Sequence, residues 1–298
     1  MTGYKRINSG FKNHTSRLQM TVTRYADEGI LSAHFHSSAE LIYVTVGKID
    51  VKVNNKSIKL YENEFLLIMP DILHEISYGS VVDFWVKEVE LSEFANLFKV
   101  EKLENLVCIK FHCDKITEMR YCNICLEPQR VFNHRIIEGY ESEESIDNML
   151  YSEYYSAMRD VINICLTDGE KMCFFDDNER FINSILEYIS ANFLKHCSAS
   201  LFGKINGIPD FTVRNKVKSV LRKYGFSYAF SDLVYIRRTE HAKHLLKTTE
   251  IPLKKVAIAS GFLNDSRMNK LFTRYAGIRP LKYREITAKI MKKELFEG

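Results

Sequence analysis

The stretch IPLKKVAIASGFLNDSRMNKLFTRYAGIRPLKYR, from Ile251 to Arg284, constrains the fold more than any other part of the chain. Pro252 suits a first helical turn, Val256 and Ala257 supply an inward face, and Gly261 permits a corner that a side chain would obstruct. Phe262 plugs that corner and Asn264-Asp265 caps a second helix. Met268, Leu271, Phe272 and Tyr275 then recur at helical spacing on one face. The opposite face is left with Ser266, Arg267, Asn269, Lys270 and Thr273, side chains that form hydrogen bonds and carry no bulky apolar group. Such a face can enter a major groove and reach base edges. An ordinary amphipathic hairpin has the same periodicity, so helix, glycine turn and helix do not decide the matter alone.

Charge adds a second constraint. Residues 1–175 hold 19 Lys+Arg against 26 Asp+Glu, whereas residues 176–298 hold 23 against 12. Clustered cations at one end suit a polyanionic partner, since phosphate neutralisation and counterion release drive nucleic-acid affinity. At 298 residues the chain has room for two domains with cores of their own. No run of eighteen apolar residues occurs, and the start MTGYKRINSG lacks the apolar centre of a signal peptide. The expectation is therefore a cytoplasmic protein with no membrane contact. Seven cysteines, an odd number, read there as reduced buried thiols. Cys122-x2-Cys125 has zinc-like spacing, but Cys108-x4-Cys113 with His112 is a poor second pair.

From Gln19 to about Leu91 short apolar or alternating runs are separated by Gly47-Lys48, Asn54-Asn55 and similar turns, as in an antiparallel sandwich or small barrel. Residues 95–140 give no clear pattern. A helix is expected from Glu144 to Leu166, with Ile146, Met149, Leu150, Met158, Val161, Ile162, Cys165 and Leu166 on one face. That stripe could bury against a second copy of the chain or against the barrel. Thr167-Asp168-Gly169 breaks the pattern, Asp176-Asp177 caps the next helix, and only helices follow. The domain boundary falls at 167–177.

The series Ile251, Val256-Ala257, Gly261-Phe262, Asp265-Ser266, Phe272, Gly277, Pro280 and Tyr283-Arg284 resembles the carboxy-terminal signature of the AraC/XylS family of transcription regulators. A weaker upstream copy runs through Leu201, Phe202, Gly203, Gly207, Val213, Val217 and Leu221, and Arg238, Ala242, Leu245 and Leu246 match the connecting helix. Gly203 stands where the family usually has Ala, and Pro209 lies at the start of the recognition helix. The resemblance implies an all-α DNA-binding domain at 177–298, with helix-turn-helix units at about 198–225 and 250–277. It implies DNA contacts by Phe211, Arg214, Asn215 and Lys218 in the first unit and Asp265, Ser266, Arg267, Asn269 and Lys270 in the second. Lys270 replaces a common Arg and loses its planar fork, so weaker base discrimination is expected there. Lys216, Arg222 and Lys223 add outward cations, and Arg238 and Arg284 suit helix pinning or phosphate contact.

Gly29-x4-His34-x-His36-x3-Glu40-x6-Gly47, followed by Pro70-x3-His74, resembles the two motifs of the cupin barrel. Residues 1–168 are thus expected to form a cupin-like antiparallel β-barrel with a helical hairpin, making the chain α+β overall. Three readings of His34, His36, Glu40 and His74 stand side by side: a pocket for an organic effector, a divalent metal site, or structural histidines. The effector pocket is preferred, with Tyr43 and Trp85 as aromatic walls; no metal or other cofactor is assigned. The implied protein is a non-enzymatic, effector-responsive transcription activator, with a sugar among the candidate effectors. Its partners would be promoter DNA, RNA polymerase and a second copy of itself. The rival is a metal-dependent cupin enzyme with a helical appendage.

Overall fold

The computed structural model describes residues 5–7, 22–26, 29–89, 105–126, 143–174 and 176–296. Its first half holds the strands β1 (Lys5–Ile7), β2 (Val22–Ala26), β3 (Gly29–His34), β4 (Ala39–Val46), β5 (Lys48–Val53) and β6 (Lys56–Tyr61). These are followed by β7 (Phe65–Ile68), β8 (His74–Tyr78), β9 (Asp83–Val89) and β10 (Leu106–Phe111), with β11 (Glu170–Cys173) much later in the chain. They assort into an antiparallel sheet of order β1-β2-β9-β4-β7-β10-β11 and a smaller one of order β3-β8-β5-β6. In β5, Ile49, Val51 and Val53 are buried while the residues between them are not, as one covered face requires. Asn54 makes the β5–β6 turn with a positive φ of 49°, a conformation asparagine tolerates.

β4 is buried on both faces from Ala39 to Val44. Glu40, Ile42 and Val44 share one face; Leu41 and Tyr43 share the other. The Tyr43 face is covered by helix α1 (Lys115–Tyr121), where Glu118 accepts a 2.8 Å hydrogen bond from the Tyr43 hydroxyl. A π-helical turn at Cys122–Leu126 extends α1. Beside it, α2 (Glu143–Asp168) places Leu150, Tyr154, Ala157, Met158, Val161, Ile162 and Cys165 in the barrel core. The stripe considered as a dimer contact is therefore covered by the protein's own barrel; the side chain of Ile146 lies outside the described residues. Part of the patternless stretch 95–140 also lies outside them. Within it, β10 escapes a reading by alternation because LVCIKF is buried nearly throughout and forms a continuous apolar run. β11 occupies the interval read as the domain boundary and pairs with β10.

The second half is helical: α3 (Asp177–Asn192), α4 (Ala199–Asn206), α5 (Asp210–Lys223), α6 (Phe230–Thr248), α7 (Leu253–Ala259), α8 (Asp265–Ala276) and α9 (Pro280–Phe296). Asp176 caps α3 by accepting from the amides of Asn178 and Glu179, both at 2.9 Å. The α4–α5 and α7–α8 pairs are two helix-turn-helix units joined by α6. In the second, Gly261 adopts φ +77° and Phe262, 3 % exposed, closes the corner. In the first, a Cβ on Gly203 would stand 2.3 Å from the carbonyl oxygen of Ile208, whose amide donates to the Gly203 carbonyl at 2.8 Å. That contact explains why glycine replaces the usual alanine. Gly203→Ala is expected to lower stability by at least about 1–3 kcal/mol, the cost of a locally strained backbone. An unchanged thermal midpoint would contradict this corner geometry.

Candidate functional site

In the second unit, α8 is capped by Asn264, which accepts from the Arg267 amide at 2.8 Å. Met268, Leu271, Phe272 and Tyr275 are buried, and Asp265, Ser266, Asn269, Lys270 and Thr273 are exposed. Arg267 is exposed as well, but its guanidinium lies 5.4 Å from the centre of the Tyr235 ring on α6, so part of its reach is already engaged. In the first unit, Val213, Val217, Val220 and Leu221 turn α5 inward, while Arg214, Asn215 and Lys218 are exposed and Phe211 is 68 % exposed. Asn215, Lys218, Ser219, Arg222 and Lys223 line a shallow groove on this helix. Arg214 is held by Asp210 at 2.9 Å. Lys216 departs from expectation: its Nζ sits over the Phe181 ring at 4.2 Å, because its position on α5 faces α3 rather than solvent.

Arg238 and Arg284 pin helices. Arg238 donates to the carbonyls of Phe193 at 2.7 Å and Lys195 at 3.1 Å, and Arg284 donates to that of Ile251 at 2.7 Å. α6 spans nineteen residues, hence about 28 Å at 1.5 Å per residue.

The two halves meet along α6. Ala33, Phe35 and Leu73 of the barrel belong to the apolar core of the helical half. Arg237, 8 % exposed, donates to Ser37 Oγ at 3.1 Å and Ser190 Oγ at 3.3 Å, and Ser190 donates to Asp71. Beside this seam lies a cavity of about 370 Å³. The barrel contributes Leu31, His34, His36, Glu40, Val86 and Glu88 to its walls, and the helices contribute Glu240, Lys243, Lys247, Ile278 and Ile286, among others.

On the barrel side, His34, His36, Glu40 and His74 converge, each offering a ligand atom within 4.8 Å of the others. His34 and His74 are paired across β3 and β8, and Glu40 opens β4 in the facing sheet, so the cluster ties the two sheets together. Glu40 Oε2 stands 3.1 Å from His36 Nε2 and 3.9 Å from His34 Nε2, and Glu40 Oε1 is 3.3 Å from His74 Nε2. Burial would raise the Glu40 carboxyl, but His74 and the close imidazoles of His34 and His36 hold it well below the usual range. Burial would lower His36, yet Glu40, Glu88 and Glu240 raise it to about 9. Burial and the neighbouring His34 lower His74. On the opposite wall Glu240 is lowered to about 2 against its burial, by Lys243 at 2.7 Å and the histidines.

Tyr43 and Trp85 are not walls of this cavity. They are register partners on β4 and β9 and share the face opposite Glu40. Tyr43 instead stacks on Phe65, with ring centres 4.3 Å apart. The same period-two logic identifies what was missed: Val86 and Glu88 pair with Ile42 and Glu40 and so share the inner face. No local signal marks the α6 wall, since its place there depends on packing between residues two hundred apart. Cys108, Cys122 and Cys125 form no such ligand group among the described residues, and all seven cysteines are thiols. Burial raises Cys108 and Cys125 to about 12.

Residues 21–95 match the family model of the AraC-like ligand binding domain, and residues 214–286 match that of a helix-turn-helix domain. Comparison with curated proteins gives no match. Among solved structures, ToxT from Vibrio cholerae is similar at 16 % identity and a TM-score of 0.52, over 90 % of this chain and 98 % of that one. Wild-type ToxT from V. cholerae strain SCE256, solved with an unsaturated fatty acid, is similar at 13 % identity and a TM-score of 0.54, over 93 % and 97 % of the chains. At such identities the likeness establishes the shared fold.

Proposed function

We infer that this chain, an AraC-family DNA-binding regulator with an amino-terminal ligand-binding domain, activates transcription when a small organic effector occupies the cavity between its two halves. The sensor is placed at 1–168 and the DNA-binding domain at 177–298, joined by the short segment that carries β11. The observation that carries this reading is the double role of α6: it lines the cavity with Glu240, Lys243 and Lys247 and also joins the two helix-turn-helix units. An effector that binds one setting of α6 better than another shifts the spacing of the recognition helices, the differential affinity on which any ligand response depends.

The cavity volume suits a small molecule. Apolar Leu31, Val86, Ile278 and Ile286 alternate with charged groups, which favours an amphipathic ligand. Sugars remain candidates, and the unsaturated fatty acid bound by ToxT adds a second class to test. Base contacts are assigned to Asp265, Ser266, Asn269 and Lys270, with Arg267 beside them, and to Phe211, Arg214 and Asn215; Lys218 takes phosphate. RNA polymerase and a second copy are the proposed protein partners. No helix among the described residues is long and apolar enough to cross a membrane, and the cytoplasm is the proposed compartment. The cupin-enzyme reading requires turnover, whereas the regulator requires none.

Fluorescence-anisotropy titrations of upstream DNA, with and without sugars and unsaturated fatty acids, test the proposal. Binding should prefer one sequence and weaken with salt at a log–log slope of about −0.9 per phosphate neutralised. An effector should shift that affinity, and Ile278→Trp, which fills the cavity, should abolish the shift. Salt-insensitive binding without sequence preference would refute the regulator reading.

A further inference from the structure

We propose that His34, His36, Glu40 and His74 form a divalent transition-metal site, and that the bound ion clamps the strand ends that seat the helical domain on the barrel.

The tautomers carry the first step. Each imidazole places Nδ1 on a backbone carbonyl: His34 on Ser32 at 2.9 Å, His36 on Ser38 at 2.8 Å and His74 on Ile72 at 2.9 Å. A carbonyl oxygen only accepts, so Nδ1 carries the hydrogen in all three rings, and in the neutral ring Nε2 carries a lone pair. All three Nε2 atoms face Glu40, whose carboxylate also only accepts. With all three rings neutral, four acceptors meet in one buried place. A proton on His36 would account for its contact with Glu40 alone. Glu40 Oε1 and His74 Nε2 still face each other, both buried and without a hydrogen-bond partner among the described residues. A cation satisfies the whole set.

Three imidazoles and one carboxylate suit a late first-row divalent ion, and the Nδ1 bonds to fixed carbonyls are the second set of contacts that orients such ligands. His34, His36 and Glu40 also line the cavity, so the ion keeps an open side toward it. Ligand atoms about 2.1 Å from an ion stand at most ~4.2 Å apart, so the widest pair, 4.8 Å, must close by at least about 0.6 Å.

That closure acts on a particular piece of backbone. His34 and His36 flank Phe35, and His74 follows Leu73. Phe35 and Leu73 are fully buried in the core of the helical half. The histidines meet in the barrel cluster while Phe35 and Leu73, next to them in the chain, pack in the core of the other half. An ion that holds the first set fixes the second. Binding of the ion stands independently of the regulator reading; only an effect on DNA rests on it.

The full chain, stripped with chelator, is titrated with zinc and in parallel with cobalt(II). One equivalent per chain should remain bound after gel filtration, and cobalt should give d–d bands without a sulfur charge-transfer band. At free ion of about 100 times Kd, the ion-binding form gains roughly a hundredfold in its folding equilibrium, so the thermal midpoint should rise and protease cleavage between the halves should slow. Glu40→Gln and His36→Ala, each checked for native circular dichroism, should lose the ion. Substoichiometric binding, a thiolate band, or undiminished affinity in both variants would overturn the site. Stoichiometric binding that leaves cleavage between the halves unchanged would overturn the clamp. A change in DNA affinity on ion binding bears on the regulator reading and not on the site.

Discussion

Phe35→Ala is expected to separate the two halves of the protein thermally while leaving each one folded. Phe35 is fully buried, yet it belongs to the barrel by chain and to the helical core by contact, beside Ala33 and Leu73. Truncating a buried phenylalanine costs about 3–5 kcal/mol, and here that loss falls on the seam. The polar contacts that remain, Arg237 with Ser37 and Ser190 with Asp71, hold geometry but replace little apolar area. Calorimetry should show one transition dividing into two, and limited proteolysis should cut between β11 and α3 sooner. Leu73→Ala should act the same way, and the double variant should show less than the sum because the two residues share one core. A single melt at an unaltered midpoint in Phe35→Ala would mean that the seam is not where the halves are joined.

Periodicity reveals what one element does and not which element it meets. α8 was legible because its buried residues Met268, Leu271, Phe272 and Tyr275 and its corner Gly261 are all local signals. The cluster of His34, His36, Glu40 and His74 was legible because the spacing His34-x-His36-x3-Glu40 and the later Pro70-x3-His74 are local signals. Tyr43 and Trp85 were misplaced through parity: each lies an odd number of residues from Glu40 or its register partner Glu88, which sends it to the helix-covered face. The cavity wall on α6 and the docking of Phe35 are long-range pairings, and no spacing within the chain encodes them. β10, apolar on both faces, and β11, only four residues long, lack the alternation by which strands are recognised.

The double variant Asn269→Ala, Lys270→Ala is expected to remove most of the preference for an operator over random DNA while leaving the protein's fold intact. Both side chains are exposed on α8, with Ser266 one turn before and Thr273 one turn after, and neither supports the core formed by Met268, Leu271 and Phe272. A well-placed base contact contributes about 1–3 kcal/mol of discrimination, so loss of two should reduce the specificity ratio by at least roughly thirtyfold. Lys270→Ala alone should remove part of it, and Lys270→Arg should raise it, because guanidinium presents two parallel donors to guanine where ammonium presents a point charge. Lys218→Ala is the control: as a phosphate contact on α5 it should weaken operator and random DNA alike and flatten the salt slope by about 0.9. If the double variant instead weakened all DNA equally, α8 would grip backbone and base reading would have to lie in α5, around Phe211 and Asn215.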